Sequence, residues 1–486
     1  MWNVIARDLA RGETVVAGVL SGTSADGIDV GLVRVHIDGL AAGPLEGAVS
    51  APPRVVGLEC VAFATEPFDV AAGGPVPGLT AAGRQPAAVD LAERVRAVLE
   101  RRAVPGPREL ALLDRDLGRA FGRAARAVAD RHGYRLGLVA SHGQTIWHHD
   151  GLEASGPATL QLGDGDEVAE AAGAAVACDF RRRDIAAGGE GAPLSALADP
   201  LVFARAPQPL CLLNLGGIAN LTLVRQCASL ETVAFDVGPA NALLDGLARA
   251  LLGRPYDADG AVAAGGVPCA AWVDELLGHP FFAVAPPKST GRDMFGGEWL
   301  RGVLAGAAAR GLSTPDTLAS AALVVARSVA RDVGSWGAWL AAHGAEGAPP
   351  APLIVAGGGV HHAPLMACLA SELGLATDGA AHGGAHGSAP GGPVGGARGP
   401  SAASRGDQGL TPGHASTRAA QGRAVVTSAA VGVPPDAREA LVFAALGARC
   451  LIGEPSTLPG ATGARPGRVL GKLVTPPPTD AARLPR

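Results

Sequence analysis

TVVAGVLSGTSADGIDVGLVRV, residues 14–35, consists of two Val-rich runs joined by the polar turn 21–27. Val-rich runs of this length favour β-strands. A parallel crossover needs about a dozen residues or more, so a turn this short predicts an antiparallel hairpin of 14–20 with 28–35.

The turn itself is a candidate anion site. Its small residues leave backbone N–H groups exposed, and such concavities bind anions. Thr23 and Ser24 add hydroxyl donors, whereas Asp26 and Asp29 would repel a phosphate unless Mg²⁺ lay between them. An ordinary polar hairpin is the alternative interpretation, and the turn does not fit the GxxxxGK[ST] pattern.

The second half of the chain repeats this plan. A strand at 210–213, the glycine turn NLGGIAN at 214–220 and a strand at 221–224 form another predicted hairpin. Two such units, each opening a set of strands and helices, predict a duplicated α/β fold. We expect an N-terminal lobe at about 12–200 and a C-terminal lobe at about 208–475.

The two hairpins, with a buried strand at 353–356 that ends in three glycines, resemble the actin/hexokinase-like (ribonuclease H-like) architecture. In that architecture two lobes surround a central cleft, hairpins from both lobes hold nucleotide phosphates, and a later glycine turn accepts the nucleoside. The resemblance implies an ATP site with these candidate residues: Gly22, Thr23, Ser24, Ala25, Asp26, Gly27, Ile28, Asp29, Gly216, Gly217, Gly357, Gly358 and Gly359.

Hydrophobic periodicity predicts the remaining elements. The predicted helices are a helical region at 86–132 and helices at 241–252, 314–343 and 435–452, and the predicted strands are 137–140, 174–178 and 232–235. The loop 141–148 is expected to follow the strand at 137–140. Residues 376–422 are dominated by Gly, Ala, Ser, His and Pro, a composition that predicts a disordered insertion in the second lobe.

Two acids are candidates for the chemistry. Strand 232–235 delivers Asp236 to a Gly-Pro turn, where a carboxylate can act as a general base; a helix N-cap is the alternative. Glu439 shares a helical stripe with Phe443, Leu446 and Cys450. A buried or half-buried acid there is costly unless a partner such as a sugar hydroxyl bonds it, although it could simply complement the helix dipole.

Several other polar side chains are candidates for ligand contacts. His142, Gln144 and His148 on the predicted loop can hydrogen-bond sugar hydroxyls and amides. The cations at 181–183, Lys288 and Arg292 could clamp a phosphate or a carboxylate, or they could form a solvated positive face.

Bulk composition excludes some classes of protein. The 486 residues carry a net charge of −5 with both signs interspersed, which argues against general nucleic-acid binding. No apolar run is long enough to span a membrane, and the N-terminus shows no signal-peptide core. Seven scattered Cys without a CxxC pair suit a reducing compartment, so we expect a cytoplasmic protein. The oligomeric state stays open, with a homodimer as one option.

Twelve ordered motifs together resemble one family, the 1,6-anhydro-N-acetylmuramic acid kinases of cell-wall recycling. They are SGTSADGID (21–29), SHGQTIWH (141–148), LQLGD (160–164), DFRRRDIAAGGEGAPL (179–194), LNLGGIANLT (213–222), FDVGPANALLD (235–245), YDADG (256–260), PPKSTGRDMF (286–295), AGGGV (356–360), EALVFAALG (439–447), LPGATGA (458–464) and LG (470–471). The resemblance covers almost the whole chain apart from the insertion and the termini.

The resemblance implies a reaction in which ATP and water convert the anhydro sugar to its 6-phosphate, with hydrolytic ring opening coupled to phosphoryl transfer. By position, Asp236 would activate the water that attacks the anomeric carbon, and Glu439 would hold the sugar. Mg²⁺ follows from the use of ATP. The expected substrate-binding residues are His142, Gln144, Arg181, Asp184 and Asn241.

The chain departs from the family pattern at a few positions. Leu20 replaces Met, Glu190 replaces Gln, Ala240 replaces Gly, and the pair His361-His362 stands close to where an Asn is expected. Two alternatives remain: another N-acetylhexosamine kinase of the same fold, and a non-catalytic sugar or nucleotide sensor. Only the muramic interpretation predicts that a 1,6-anhydro sugar is consumed together with water.

Overall fold

The computed structural model of the chain describes most of its residues. They are 1–22, 25, 27–40, 52–68, 90–99, 104–149, 156–204, 210–226, 230–285, 288, 290, 294–342, 352–377 and 424–477. Among these residues, no helix is long and apolar enough to cross a membrane.

The N-terminal half forms one sheet with its helices. Its elements are α1 (Trp2–Ala10), β1 (Val15–Ser21), β2 (Ile28–Asp38), β3 (Arg54–Glu66), α2 (Leu91–Leu99), α3 (Pro107–Arg131), β4 (Leu136–His149), β5 (Ala158–Leu162), α4 (Gly165–Ala172), β6 (Ala175–Cys178), α5 (Phe180–Ala186) and α6 (Asp199–Val202).

The C-terminal half forms the second sheet and returns to the first. Its elements are β7 (Leu210–Leu215), β8 (Ile218–Gln226), β9 (Leu230–Pro239), α7 (Asn241–Leu252), α8 (Ala270–Leu276), α9 (Gly297–Ala309), α10 (Thr314–Ala342), β10 (Leu353–Ala356), α11 (Ala363–Leu373), β11 (Ala376–Thr377), β12 (Ala424–Thr427), α12 (Arg438–Ile452), α13 (Pro459–Thr462) and β13 (Lys472–Val474).

Five strands of each sheet share the same topology. The strand order is β13-β6-β4-β1-β2-β3 in the first sheet, where β5 also pairs with β4, and β11-β12-β10-β7-β8-β9 in the second. In each sheet the opening three strands are antiparallel neighbours, and two later strands run parallel to the first of them. This repeated order confirms the predicted duplicated, actin/hexokinase-like α/β fold.

Helix α12 lies between the two sheets. Successive side chains of a strand point to opposite faces, so Val15, Ala17 and Val19 of β1 enter the outer core of the first half. Val16 and Leu20 point the other way and join a core that contains α12 together with residues of the second sheet. A further core covers the outer face of the second sheet with α7, α10 and α11.

The predicted hairpin at 14–35 is confirmed, with Val16 paired to Val33 and Leu20 to Asp29. The predicted loop 141–148 is wrong, because those residues continue β4 and pair with both β1 and β5. These neighbours supply backbone partners to a polar stretch that has little strand propensity of its own.

The C-terminal boundary predicted for the second lobe needs a correction. Strand β13, counted with the second lobe, pairs antiparallel with β6 and so belongs to the first sheet. In the predicted insertion at 376–422, Ala376 and Thr377 form β11, which pairs with β12. The remainder, 378–422, lies outside the described residues.

Candidate active site

The turn between β1 and β2 is closed by a backbone hydrogen bond from Ala25 N to Gly22 O of 3.1 Å. Ala25 has φ +52°, a left-handed conformation that side chains with a Cβ rarely adopt and that clusters at functional sites. At the start of β2, Asp29 Oδ1 accepts a hydrogen bond of 2.6 Å from Thr65 Oγ1. The candidates Thr23, Ser24 and Asp26 lie outside the described residues.

The side chain of Gln144 is hydrogen-bonded to the turn between β1 and β2. Its side chain is fully buried, and its Nε2 donates to Gly22 O at 3.3 Å and to Thr145 O at 3.4 Å. Its Oε1 has no hydrogen-bond partner among the described residues. The structure therefore places Gln144 beneath the turn, whereas the sequence predicted a sugar contact.

His142 and Arg181 form a directed pair. Arg181 Nε donates to His142 Nε2 at 2.9 Å, which requires the imidazole proton to lie on Nδ1, and Nδ1 is 2.8 Å from Gly143 O. Burial, with the nearby Arg181 charge, lowers the pKa of His142 to about 3. The ring packs on Phe443 of α12 with centroids 4.4 Å apart. His142 is thus a neutral acceptor that orients the guanidinium.

Arg181 also contacts the loop at Gly191 and lies within the electrostatic influence of Glu439. Its Nη1 donates to Gly191 O at 2.7 Å, and burial lowers its pKa to about 10 although Glu439 and Asp184 oppose that shift. Glu439 is the second residue of α12, whose later residues are nearly all buried. The prediction of a buried or half-buried Glu439 is wrong, because this residue is exposed although its neighbours Arg438 and Ala440 are buried.

Asp184 is a structural group. It has no exposed surface; its Oδ2 accepts from Gly191 N at 2.9 Å and its Oδ1 from Thr462 Oγ1 at 2.8 Å. Burial raises the pKa of this carboxyl, and the two donors oppose the rise. Asp184 holds the loop whose Gly191 carbonyl binds Arg181, so it supports the predicted contact of Arg181 with the substrate.

Asp236 lies within β9, directly opposite Asn220 of β8. Its N–H donates to Lys288 O at 2.8 Å, and its Oδ2 accepts from Thr290 N at 2.9 Å. The residue that caps α7 is Ala240, so the alternative interpretation of Asp236 as a helix cap is wrong. The carboxylate is half-buried and held by backbone, an arrangement suited to a base at a cleft.

Sequence reasoning missed two features around this carboxylate. Asn220 has a buried side-chain oxygen without a hydrogen-bond partner among the described residues. Lys288, predicted to clamp an anion, instead makes a buried ion pair with Asp332 at 3.0 Å. The position of Asn220 within LNLGGIANLT was the available signal for the first; no local pattern marks the second.

The glycine turns of the second half converge. Gly217 O accepts from Ala240 N at 2.9 Å, Gly216 O accepts from Asn241 N at 3.0 Å, and Asn241 Nδ2 donates to Leu215 O at 2.9 Å. Gly357 adopts φ +86°, and a Cβ there would lie 2.9 Å from Leu215 O. The close approach of the Leu215 backbone therefore explains why residue 357 is a glycine. Asn241 lies on the predicted nucleotide side of the site.

The unexpected histidines after Gly359 have local roles. His362 Nδ1 accepts a hydrogen bond of 3.2 Å from Leu365 N and so caps α11, a role that the expected Asn could fill. His361 Nε2 is 3.2 Å from Asp436 Oδ2, just before α12. His362 therefore preserves the local fold although it departs from the family pattern.

Comparison with known proteins gives a consistent set of matches. The family model described as "Anhydro-N-acetylmuramic acid kinase" matches residues 76–382 and 417–476. The enzyme of that name from Streptomyces coelicolor is 37% identical over 384 residues, which cover 78% of this chain and 81% of that protein. The Xanthomonas campestris enzyme is 33% identical over 460 residues (94% and 96%), and the Salinibacter ruber enzyme is 32% identical over 476 residues (96% and 98%).

Proposed function

The chain belongs to the anhydro-N-acetylmuramic acid kinase family, and from this premise we propose that it couples hydrolytic ring opening to phosphorylation. Membership confirms the prediction of a kinase, a phosphotransferase that acts on this class of sugar. In the proposed reaction, ATP, water and 1,6-anhydro-N-acetylmuramic acid give ADP and N-acetylmuramic acid 6-phosphate. The proposed setting is the recycling of peptidoglycan fragments in the cytoplasm.

The placement of Asp236 carries this proposal. It is half-buried, it does not cap a helix, and Thr290 N–H fixes one carboxylate oxygen at 2.9 Å. As water adds to C1 of the sugar, Asp236 takes the water proton. The bond from C1 to the anhydro oxygen breaks, and that oxygen, O6, attacks the γ-phosphoryl group while ADP leaves.

The other candidate residues would bind and orient the sugar and the nucleotide. Arg181, which stays charged at neutral pH, is a partner for an anionic group of the sugar, and the exposed Glu439 can accept a hydrogen bond from a sugar hydroxyl. The turn at 22–29 and the glycines at 216–217 and 357–359 would cradle the nucleotide.

The residues present also fit a magnesium ion. Asp29 offers a carboxylate at the phosphate turn, of the hard oxygen type that Mg²⁺ prefers, and Thr65 Oγ1 orients it at 2.6 Å. When bound, the ion would neutralise charge on the triphosphate. Asp29 would hold it directly or through water.

An ADP-release assay with the anhydro sugar tests the proposal. We expect Asp236→Asn to lower kcat by about 10²- to 10⁴-fold, the usual contribution of a general base, while nucleotide binding is retained. Asp130→Asn, an exposed acid on α3 paired with Arg126, is the control and should stay at wild-type activity.

Mass spectrometry of the product separates the alternatives. Ring opening gives a phosphorylated sugar heavier by one water than direct phosphorylation would. Turnover of N-acetylhexosamines but not of the anhydro sugar would identify another kinase of the same fold. Nucleotide binding without any turnover would identify a sensor, and wild-type activity in Asp236→Asn would remove that residue from its role.

A further inference from the structure

The ion pair of Lys288 and Asp332 is among the most enclosed charged contacts in the described chain. Lys288 Nζ lies 3.1 Å from Asp332 Oδ1 and 3.0 Å from Oδ2, and the side chains are 2% and 5% exposed. The ammonium also lies 4.9 Å from the centre of the Phe281 ring. A cation so enclosed is not placed to contact a phosphate or a sugar directly.

Burying such a pair is expensive. Desolvation of the two ions often outweighs their mutual attraction, so a buried pair is weak support for a purely stabilising role. The charged pair does, however, fix geometry, because Asp332 belongs to the long core helix α10 and Lys288 must stay within bonding distance of it. The backbone at Lys288 is thereby tied to the core of the second half.

That backbone holds Asp236 at two points. Lys288 O accepts the Asp236 N–H at 2.8 Å, and two residues further on, Thr290 N–H donates to Asp236 Oδ2 at 2.9 Å. One contact fixes the main chain of β9, and the other fixes the carboxylate. Displacement of Lys288 would therefore move the Lys288 carbonyl acceptor and the Thr290 N–H donor together.

We propose that the Lys288–Asp332 ion pair is a positioning device that aligns the carboxylate of Asp236 for its reaction. The inference rests on the proposed function and extends it to two residues that touch neither substrate nor nucleotide. Their effect passes through the backbone at Lys288 and Thr290. Their loss should therefore impair the chemical step more than ground-state binding of either substrate.

The variants Asp332→Asn and Lys288→Met test this. A misplacement near 1 Å costs about 100-fold in rate, so we expect kcat to fall by about that factor while KM for ATP and for the anhydro sugar stay near wild type. Val329→Ala is the matched control: it removes core volume one turn earlier on α10, where Val329 is fully buried, without touching the ion pair.

The double variant Lys288→Met/Asp332→Leu separates positioning from stability. Replacing a buried ion pair by apolar side chains is often neutral for stability, so its melting temperature should recover toward wild type. We expect kcat to remain low despite that recovery. If kcat recovers together with the melting temperature, or if Val329→Ala lowers kcat as much as Asp332→Asn, the pair is only structural and the inference is wrong.

Hydrogen–deuterium exchange gives a readout that does not depend on the reaction. The amides of Asp236 and Thr290 should exchange faster in Asp332→Asn and Lys288→Met than in wild type or Val329→Ala. Unchanged exchange would overturn the positioning role even if activity fell. Wild-type protein that fails to consume the anhydro sugar would instead overturn the proposed reaction, and the exchange result would still decide the structural link.

Discussion

Replacing Gly18 by Ala should displace the helix that carries Glu439. Gly18 lies in β1 beneath α12, and a Cβ at this position would be 1.8 Å from Ala440 O and 2.7 Å from Ala440 C. Both obstacles are backbone atoms, so no side chain can rotate out of the way. Since Cβ contacts under 3.0 Å essentially never occur, the helix must retreat by about 1.2 Å from the strand.

That movement reaches the site directly, because Glu439 precedes Ala440 in the first turn of α12. A displacement near 1 Å lowers catalytic efficiency by about 100-fold when it misplaces a substrate-holding group. Overpacking of this kind also costs about 1–3 kcal/mol of unfolding free energy. We therefore expect both losses in Gly18→Ala, measured by ADP release with the anhydro sugar and by urea unfolding.

Gly447→Ala is the matched control. Its Cβ would meet Ala140 Cβ at 2.5 Å, so it overpacks the same helix against the first sheet. It lies eight residues beyond Glu439, about 12 Å along the helix axis. A comparable stability loss with a smaller loss of kcat/KM is expected. Wild-type kcat/KM in Gly18→Ala, or an equal loss in Gly447→Ala, would refute the reasoning.

Two further predictions concern stability. His142 has a folded-state pKa of about 3 against an ordinary value of 6.5, so the stability it contributes is present above pH 6.5 and is lost as pH falls toward 3. Between pH 7.5 and pH 5, the stability advantage of wild type over His142→Gln should shrink by about 2 kcal/mol in urea unfolding; a constant difference would contradict the neutral assignment. Asp199→Asn removes the buried partner of Arg438, whose Nε lies 3.1 Å from Asp199 Oδ1. It should cost about 3–5 kcal/mol, against about 0–1 kcal/mol for Asp130→Asn in an exposed pair, and equal losses would contradict the burial argument.

The sequence pattern was sufficient to predict elements whose signals lie within a short stretch of residues. The helix predicted at 241–252 coincides with α7, because a Gly-Pro turn opens it and an apolar period runs through it. The hairpin at 14–35 follows from two Val-rich runs and a turn too short for a crossover. The duplicated fold follows from the recurrence of that unit.

Long-range contacts explain what could not be predicted. Residues 141–148 look like a polar loop, yet β1 and β5 both pair with them. Asp332 lies 44 residues beyond Lys288, so nothing near Lys288 shows that its charge is already paired. Likewise, nothing in the sequence around Asp184 shows that Thr462, far along the chain, donates a hydrogen bond to one of its oxygens.

The two acids of the proposed reaction depend on different cores, which makes their roles separable. Asp236 is tied through the backbone at Lys288 and Thr290 to α10 and the core of the second half. Glu439 is the second residue of α12, which rests on β1 and is held at its first residue, Arg438, by Asp199. A group that holds the sugar in the ground state should raise KM when displaced, whereas a base that acts only in the transition state should lower kcat. Gly18→Ala should therefore mainly raise KM, whereas Asp332→Asn should mainly lower kcat. If both variants changed the same kinetic constant, the two carboxylates would not be independently positioned.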